Sequence, residues 1–164
     1  MRFLLVIFIL FSFQSFGQSD AYVKLLKKYY SDFPTISMEQ TKKKLNQSNT
    51  YFLDTRKKEE FDVSHIENAK WVGYDEFNLN SIKKHMPITS EIIVYCSIGA
   101  RSQNIGEQLK KAGYSNVKNL YGGLFNWSNH DYPLYDSHGD QTIKIHGYSK
   151  DWGKWINDQK KVVY

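Results

Sequence analysis

The chain has 164 residues and a formal net charge of +5, from 22 Lys and Arg residues against 17 Asp and Glu residues. This length suits one domain with a hydrophobic core, and the mild positive charge favours a small anionic substrate or an acidic surface as partner. The basic residues are scattered in short groups along the chain, which argues against a nucleic-acid-binding stripe, so we expect no nucleic-acid partner.

The N-terminal segment has the layout of a secretory signal peptide. Arg2 supplies a short positive start, residues 3–13 are almost wholly apolar, and Ser15 and Gly17 are small residues on either side of Phe16. The apolar run is shorter than the ~20 residues of a membrane-spanning helix. An N-terminal core helix is the alternative, which the unbroken apolar run disfavours. We therefore expect cleavage near Gly17, export to the periplasm or the exterior, and no stable membrane anchor.

Two helices are predicted before the first buried strand. Residues 20–32 have apolar side chains at helical spacing, with Asp20 as a cap, and this helix should lie on the main domain. A second helix should run from about 38 to 46, because Ser37 and Gln40 have the spacing of a capping box.

Short strands alternate with helices over the middle of the chain, which predicts an α/β fold with a mainly parallel sheet and right-handed crossovers. The apolar run at 91–95 is typical of a strand buried on both faces of such a sheet. Strands are predicted up to Asp54, near 70–73, at 91–95 and at 116–120, and helical segments at 57–62, 75–85, 102–112 and after Gly123.

Residues 135–164 differ in character from the rest of the chain. The stretch TIKIHGY alternates like a strand, and SKDWGKWINDQ could form a short helix with Trp152 and Trp155 as anchors. We expect this extension to pack on the domain, because Trp more often anchors packing than a ligand; an aromatic binding patch is the alternative. The predicted organisation is a signal peptide at 1–17, an amphipathic helix at 18–35, one domain at 36–134 and an extension at 135–164.

The only cysteine of the chain, Cys96, directly follows the predicted buried strand. Open α/β folds bind their ligands at this carboxyl edge of the sheet. The loop after Cys96 is built mostly from small residues, so its N–H groups can turn inward around an anion, and the next helix adds about half a positive charge at its start. We therefore expect an ionised, nucleophilic thiol. The candidate site comprises Cys96, Ser97, Ile98, Gly99, Ala100, Arg101 and Ser102.

Two other interpretations of Cys96 stay open at this point. It could be a small buried hydrophobe, as free Cys often is, although its position before Gly and Arg indicates a pocket. It could also be a sensing thiol for peroxide or persulfide. One Cys cannot form an internal disulfide, and an oxidising compartment would expose a lone thiolate to mixed disulfides.

Four separated stretches of the chain carry motifs of one known family: ISMEQTKKKL, FLDTRKKEEFDVSHIENAKWV, IIVYCSIGARS and GYSNVKNLYGGLFNWSNHDYPL. Together they resemble a single-domain rhodanese, a sulfurtransferase, over about residues 36–134. The resemblance implies a rhodanese-like α/β fold, with a central, mainly parallel five-stranded sheet flanked by helices on both faces. Gly106 departs from the family pattern, because Ala is usual there.

Loop length distinguishes members of this superfamily. The loop from Cys96 through Arg101 has six residues, which resembles the sulfurtransferases. The related cell-cycle phosphatases use a loop one residue longer, with an acidic residue after the Cys, to hold a larger phosphate. Here Ser97 follows Cys96, which disfavours a phosphatase or an arsenate reductase.

The resemblance implies a reaction through a persulfide on Cys96. A small anionic donor such as thiosulfate, or a persulfide, would give its outer sulfur to Cys96, and a thiol or cyanide would accept it. The N–H groups from Ser97 to Ser102 would hold the persulfide, and Arg101 would position the donor. No metal or organic cofactor is required, and the histidines show no metal-ligand spacing. The sequence does not identify a protein partner.

Several other residues in the matching motifs should support the site rather than react. Arg56 and Glu60 lie four residues apart and can pair on a helical turn, while Asp54 can hold neighbouring backbone. His65 should fix a loop by hydrogen bonding, and two glycines should let the following loop approach the pocket closely. These supporting residues are Asp54, Arg56, Glu60, His65, Gly122 and Gly123.

The sequence leaves a second function open, a non-turnover module on the same fold that carries sulfur or binds a protein. An intact Cys96 in a complete loop favours the sulfurtransferase, because the nucleophile is what the covalent route requires.

Overall fold

A computed structural model of the protein describes residues 20–30 and 32–164. The predicted signal peptide at 1–17 lies outside these described residues. The elements are α1 Asp20–Leu26, β1 Thr35–Ile36, α2 Met38–Lys42, β2 Thr50–Asp54, α3 Lys58–Val63, β3 Lys70–Trp71, α4 Leu79–His85, β4 Glu91–Tyr95, α5 Ala100–Lys111, β5 Val117–Leu120, α6 Gly123–Asn129, β6 Leu134–Tyr135, β7 Gln141–Thr142, β8 Ile145–His146, α7 Lys150–Gly153, a 3-10 turn Gln159–Lys161 and β9 Val162–Val163.

The central sheet has five strands in the order β1-β5-β4-β2-β3, and every neighbouring pair is parallel. Strand β4 lies in the middle, and all five of its residues are buried. Its pairing with β2 sets Leu53 opposite Val94 and Asp54 opposite Tyr95. The α/β fold with a parallel five-stranded sheet is therefore confirmed.

Helices cover both faces of the sheet. Successive side chains of β4 point to opposite faces, so each face of this strand packs against a different set of helices. Ile93 and Tyr95 pack with residues of α1, α2 and α6 in one core cluster. Ile92 and Val94 pack with residues of α4 and α5 in a second cluster. The fully buried strand thus holds two cores together and delivers Cys96 to its carboxyl end.

Three helices are shorter than the sequence predicted. Helix α1 ends at Leu26 and α2 ends at Lys42, and turns follow both helices. Helix α4 begins at Leu79 because the Asn78 side chain accepts a hydrogen bond from the Ser81 N–H and caps it there. The capping box of α2 is confirmed, since the Ser37 side chain accepts from the Gln40 N–H.

The segment after β6 packs on the domain, and two short strands replace the single strand predicted for TIKIHGY. Strand β7 pairs antiparallel with β6, and β8 pairs parallel with β9. Ile145 and Ile156 are buried in the same cluster as Tyr95. The helix predicted at 149–159 is limited to the four residues of α7. Across residues 20–30 and 32–164, no helix has the length and apolarity needed to cross a bilayer.

Candidate active site

Cys96 is the first residue after β4 and lines a cavity of about 170 Å³. Its exposed fraction is 1 %. The Gly99 N–H donates a hydrogen bond to the Cys96 Sγ over 3.1 Å. A sulfur that accepts an amide hydrogen bond can hold negative charge, and a small reagent that enters the cavity comes next to Cys96.

Gly99 bends the loop back over the sulfur. Its φ of 105° lies in the left-handed region, where a side chain is strained. A Cβ at this position would also lie 1.8 Å from the Tyr30 Oη. The Asn119 Nδ2 donates to the Gly99 carbonyl over 2.8 Å, and the Ser102 Oγ donates to the Asn119 Oδ1 over 2.8 Å. Strand β5 therefore fixes the active-site loop through the side chain of Asn119.

The two glycines of the following loop bring α6 against the Cys96 backbone, as the sequence predicted. The Leu124 N–H donates to the Cys96 carbonyl over 2.8 Å, and the Phe125 N–H donates to the Ser97 carbonyl over 3.0 Å. A Cβ at Gly123 would lie 2.4 Å from the Cys96 carbonyl oxygen. Gly122 and Gly123 both have positive φ, so this close approach requires glycine.

Tyr30 ties these two loops together, which sequence reasoning missed. Its hydroxyl accepts from the Gly122 N–H over 2.7 Å and lies 2.9 Å from the Ile98 carbonyl and 3.0 Å from the Leu120 carbonyl. Burial, and next the nearby charge of Cys96, raise the pKa of Tyr30 well above its ordinary value. The hydroxyl therefore stays protonated and can donate to either carbonyl.

Arg101 lies at the cavity and pairs with Glu60 of α3. Its Nη1 donates to the Glu60 Oε2 over 2.8 Å and its Nη2 to the Glu60 Oε1 over 3.0 Å. The Ser97 Oγ donates to the same Glu60 Oε1 over 2.9 Å. Burial acts to raise the pKa of Glu60, but the hydrogen bonds and charge of Arg101 outweigh it and hold that pKa below its usual value.

The predicted Arg56–Glu60 pair is wrong. The Arg56 guanidinium instead donates to both carboxylate oxygens of Asp54, over 2.6 to 3.1 Å, and to the Ser64 carbonyl over 2.6 Å. The four-residue spacing rule applies within a helix, and Arg56 precedes α3. The Arg56 N–H also donates to the Asp54 Oδ1, so Asp54 holds neighbouring backbone as expected. Neither residue lines the cavity with Cys96.

His65 holds the start of the C-terminal segment. Its backbone exchanges two hydrogen bonds with Tyr135, over 2.8 and 3.0 Å. The imidazole stacks on Phe61 with 3.9 Å between ring centroids, and its Nδ1 lies 3.0 Å from the Phe61 carbonyl. The residue acts on packing and stays outside the cavity that Cys96 lines.

Three aromatic side chains complete the cavity, and the sequence assigned none of them to the site. Tyr29, Tyr148 and Trp152 line it together with Cys96 and four other residues of the active-site loop. The Tyr148 ring lies 5.0 Å from the Arg101 Cζ. The extension packs on the domain, with Ile145 and Ile156 in the core cluster and Trp152 against it, and Trp152 also lines the cavity.

Within residues 20–30 and 32–164, no three His, Cys, Asp or Glu side chains are grouped so that they could hold a metal ion. The chemistry that the arrangement offers is nucleophilic, with a thiol at the end of a strand, an amide hydrogen bond to its sulfur and a mostly apolar cavity beside it.

Comparison with known proteins matches residues 37–130 to the rhodanese-like domain. Thiosulfate sulfurtransferase 18 of Arabidopsis thaliana is 33 % identical over 105 residues, which cover 56 % of this chain and 76 % of that protein. The adenylyltransferase and sulfurtransferase UBA4 of Candida albicans is 34 % identical over 89 residues, or 51 % of this chain. The chain spans only 20 % of the length of UBA4.

Solved structures support the same fold. The BH2092 protein of Bacillus halodurans superposes with a TM-score of 0.59 at 20 % identity, over 75 % of this chain and 89 % of that one. The family match covers more than half of the sequence, and its range includes the Cys96 loop and both glycines of the loop before α6. The chain belongs to the rhodanese-like domain family.

Proposed function

We propose that this protein is a sulfurtransferase that takes a sulfane sulfur from thiosulfate or a persulfide onto Cys96 and passes it to a thiol or cyanide. The observation that supports this most strongly is the 3.1 Å hydrogen bond from the Gly99 N–H to the Cys96 Sγ, beside a cavity that Cys96 lines. An amide donor stabilises a sulfur anion before and after it gains the second sulfur.

The proposed reaction has two balanced steps. The Cys96 thiolate attacks the outer sulfur of thiosulfate, a new sulfur–sulfur bond forms, and sulfite leaves with the electron pair of the bond that breaks. In the second step cyanide attacks the outer sulfur of the persulfide, and thiocyanate leaves as the Cys96 thiolate is restored. The terminal sulfur moves as a neutral atom in both steps, so no external oxidant or reductant is consumed.

Intact-mass measurement tests the first step. The protein incubated with thiosulfate should gain the mass of one sulfur atom, and cyanide should remove it. The Cys96→Ser variant should gain nothing, whereas Ser90→Ala, at a buried serine outside the loop, should load like the parent protein. A protein that stays unloaded with both thiosulfate and an organic persulfide would contradict the proposal.

A sulfur carrier without turnover is the second candidate, and the 1 % exposure of Cys96 favours it. A bound sulfur at so enclosed a position leaves only with an acceptor that enters the cavity, which slows its release. Continuous thiocyanate production from thiosulfate and cyanide distinguishes the two functions. Many turnovers per protein support the enzyme, and a single stoichiometric release supports the carrier.

We also propose that the protein acts after export, with cleavage after Gly17. The support is the charged start and apolar run of the N-terminal segment. Expression of the full sequence in a bacterial host with a secretion system should yield a protein that begins at Gln18. A chain recovered from the cytosol with Met1 intact would contradict this.

A further inference from the structure

The cavity beside Cys96 is built in part from outside the region that matches the family. The matched range is 37–130, whereas Tyr29 lies before it and Tyr148 and Trp152 lie after it. All three side chains are aromatic. The aromatic part of the cavity lining therefore comes from the segments before and after the matched domain.

Two of the three rings contact each other, and the third is held by its own separate contacts. Tyr29 and Trp152 meet edge to face, with 5.9 Å between their centroids. Tyr148 has a φ of 64°, which is rare for a residue with a side chain, and its N–H donates to the His146 Nδ1 over 3.0 Å. Its ring is fixed 5.0 Å from the Arg101 Cζ. A strained backbone that is held by a hydrogen bond and a ring contact points to a position that matters for the site.

The polar side chains of the loop are already paired with a carboxylate. Both Arg101 and Ser97 use their side chains to hydrogen-bond Glu60. The charge of Arg101 is therefore offset by a carboxylate before any donor arrives, and the lining of the cavity is mostly apolar. An ionised Cys96 would add a negative charge. This balance disfavours a dianion such as thiosulfate relative to a monoanion with an apolar body.

The size of the cavity fits one ring. Its volume is about 170 Å³, and an apolar cavity of about 150 Å³ in another protein is enough to bind benzene. Aromatic side chains also contact a flat ring with offset or edge-on geometry that adds to simple burial.

We infer that Tyr29, Tyr148 and Trp152 form a subsite for an apolar, ring-sized group on the sulfur donor, so that the site favours organic sulfane donors over thiosulfate. The inference rests on the proposed sulfur transfer to Cys96. The three residues determine specificity and hold the non-reacting part of the donor.

Benzenethiosulfonate is the probe, with methanethiosulfonate as its charge-matched partner. The Cys96 thiolate attacks the outer sulfur of either donor, the bond between the two donor sulfurs breaks, and the sulfinate leaves with that electron pair. The product on the protein is the same persulfide in each case. The two donors differ only in the group that the subsite would hold.

The experiment measures second-order rates of sulfur loading by intact mass for these two donors and for thiosulfate. Each rate is divided by the rate of the same donor with a small thiol in solution. The normalised rate should be about tenfold higher for benzenethiosulfonate than for methanethiosulfonate, as expected for partial burial of a phenyl group. Loading by thiosulfate but without this preference would overturn the inference and leave the proposed function standing. No loading by any donor would overturn both.

Variants of two of the three aromatic residues test whether they cause the preference for benzenethiosulfonate. Trp152→Ala and Tyr148→Asn should each lower the benzene-to-methane ratio at least threefold, and Asn accepts the positive φ at 148. Ile143→Ala is the matched control, because Ile143 is an exposed apolar residue of the same extension. Thermal unfolding verifies that each variant is folded, and the half-exposed Tyr148 provides the test if Trp152→Ala does not fold. A ratio unchanged in folded Tyr148→Asn would overturn the assignment.

Discussion

The two nitrogens of the Arg101 guanidinium donate one hydrogen bond to each carboxylate oxygen of Glu60, over 2.8 and 3.0 Å. This pair joins α5 to α3 and neutralises the cation nearest to the cavity. We predict that Glu60→Gln lowers the free energy of unfolding by about 1–3 kcal/mol. The value is below the ~3–5 kcal/mol for breaking a fully buried pair, because the Arg101 side chain is 22 % exposed. Denaturant unfolding measures it.

The same variant should change the choice of donor. With Glu60 neutral, the charge of Arg101 is no longer offset, so the loading rate with thiosulfate should rise relative to that with benzenethiosulfonate. Glu59→Gln is the matched control, since the Glu59 side chain is 63 % exposed and lies 3.9 Å from Lys57. Identical donor ratios in the two variants would show that the pair does not set the charge of the site.

We predict that Gly123→Ala destabilises the protein by about 2–5 kcal/mol and abolishes sulfur loading. The positive φ costs about 1–2 kcal/mol for a residue with a side chain, and crowding in a packed interior costs about 1–3 kcal/mol more. The crowded atom is the Cys96 carbonyl oxygen, 2.4 Å from the new Cβ. Backbone at the reactive residue cannot move aside without displacing the loop.

Gly139→Ala separates strain from crowding. Gly139 also has a positive φ, 85°, but nothing lies within 4 Å of a Cβ built there. Gly139→Ala should lower the free energy of unfolding by only about 1–2 kcal/mol, and its rate of sulfur loading should match that of the parent protein. Equal unfolding free energies for the two alanine variants would mean that the contact with Cys96 adds nothing.

The sheet and the cysteine loop could be predicted because their signals are local. The buried run of β4, the small residues after Cys96 and the capping box of α2 each occupy a few consecutive positions. Tyr30 could not be predicted, since its hydroxyl meets the backbone of Ile98 and Gly122, 68 and 92 residues away. No local sequence pattern indicates such contacts, because they form only when the N-terminal segment packs across the folded domain.

Gly106 illustrates the same limit at one residue. In the sequence it is only a weak helix former where Ala is usual. In the structure a Cβ at Gly106 would lie 2.5 Å from the Phe33 ring, so the glycine makes room for the turn that precedes β1. Trp152 packs against the core as the sequence suggested, but its place in the lining of the cavity depends on the path of the whole extension.

We predict that Tyr30→Phe slows sulfur loading and lowers the free energy of unfolding by about 1–3 kcal/mol. The change removes the acceptor of the Gly122 N–H, and a buried donor left without a partner costs about this much. The loop should also close less firmly over Cys96, because Ile98 loses its link to the same hydroxyl. Tyr29→Phe, at the more exposed neighbouring tyrosine, is the control for stability. Unfolding curves and single-turnover loading measure both effects.

We predict that acid destabilises the position of Tyr148 in the subsite by protonating His146. The Tyr148 N–H donates to the His146 Nδ1, which requires that nitrogen to be unprotonated. Burial, as the largest cause, lowers the pKa of His146 below its usual 6.5. Because the unfolded chain then binds the proton more tightly, the contribution of His146 to stability is fully present above about pH 6.5 and is lost as pH falls through the lowered value.

The variant His146→Asn tests whether protonation of His146 causes this loss of stability. An Asn side chain can keep an oxygen acceptor for the Tyr148 N–H but does not titrate. The parent protein should lose both stability and its preference for benzenethiosulfonate as pH falls from 7 to 5, whereas His146→Asn should lose less of each over the same range. The charged groups around His146 that could contribute are Arg56, Lys57, Glu59 and Glu60. His85→Asn removes an exposed imidazole on α4 and controls for a general effect of histidine loss. Parallel pH profiles for the parent and His146→Asn would refute the role of His146, because the variant cannot take up the proton.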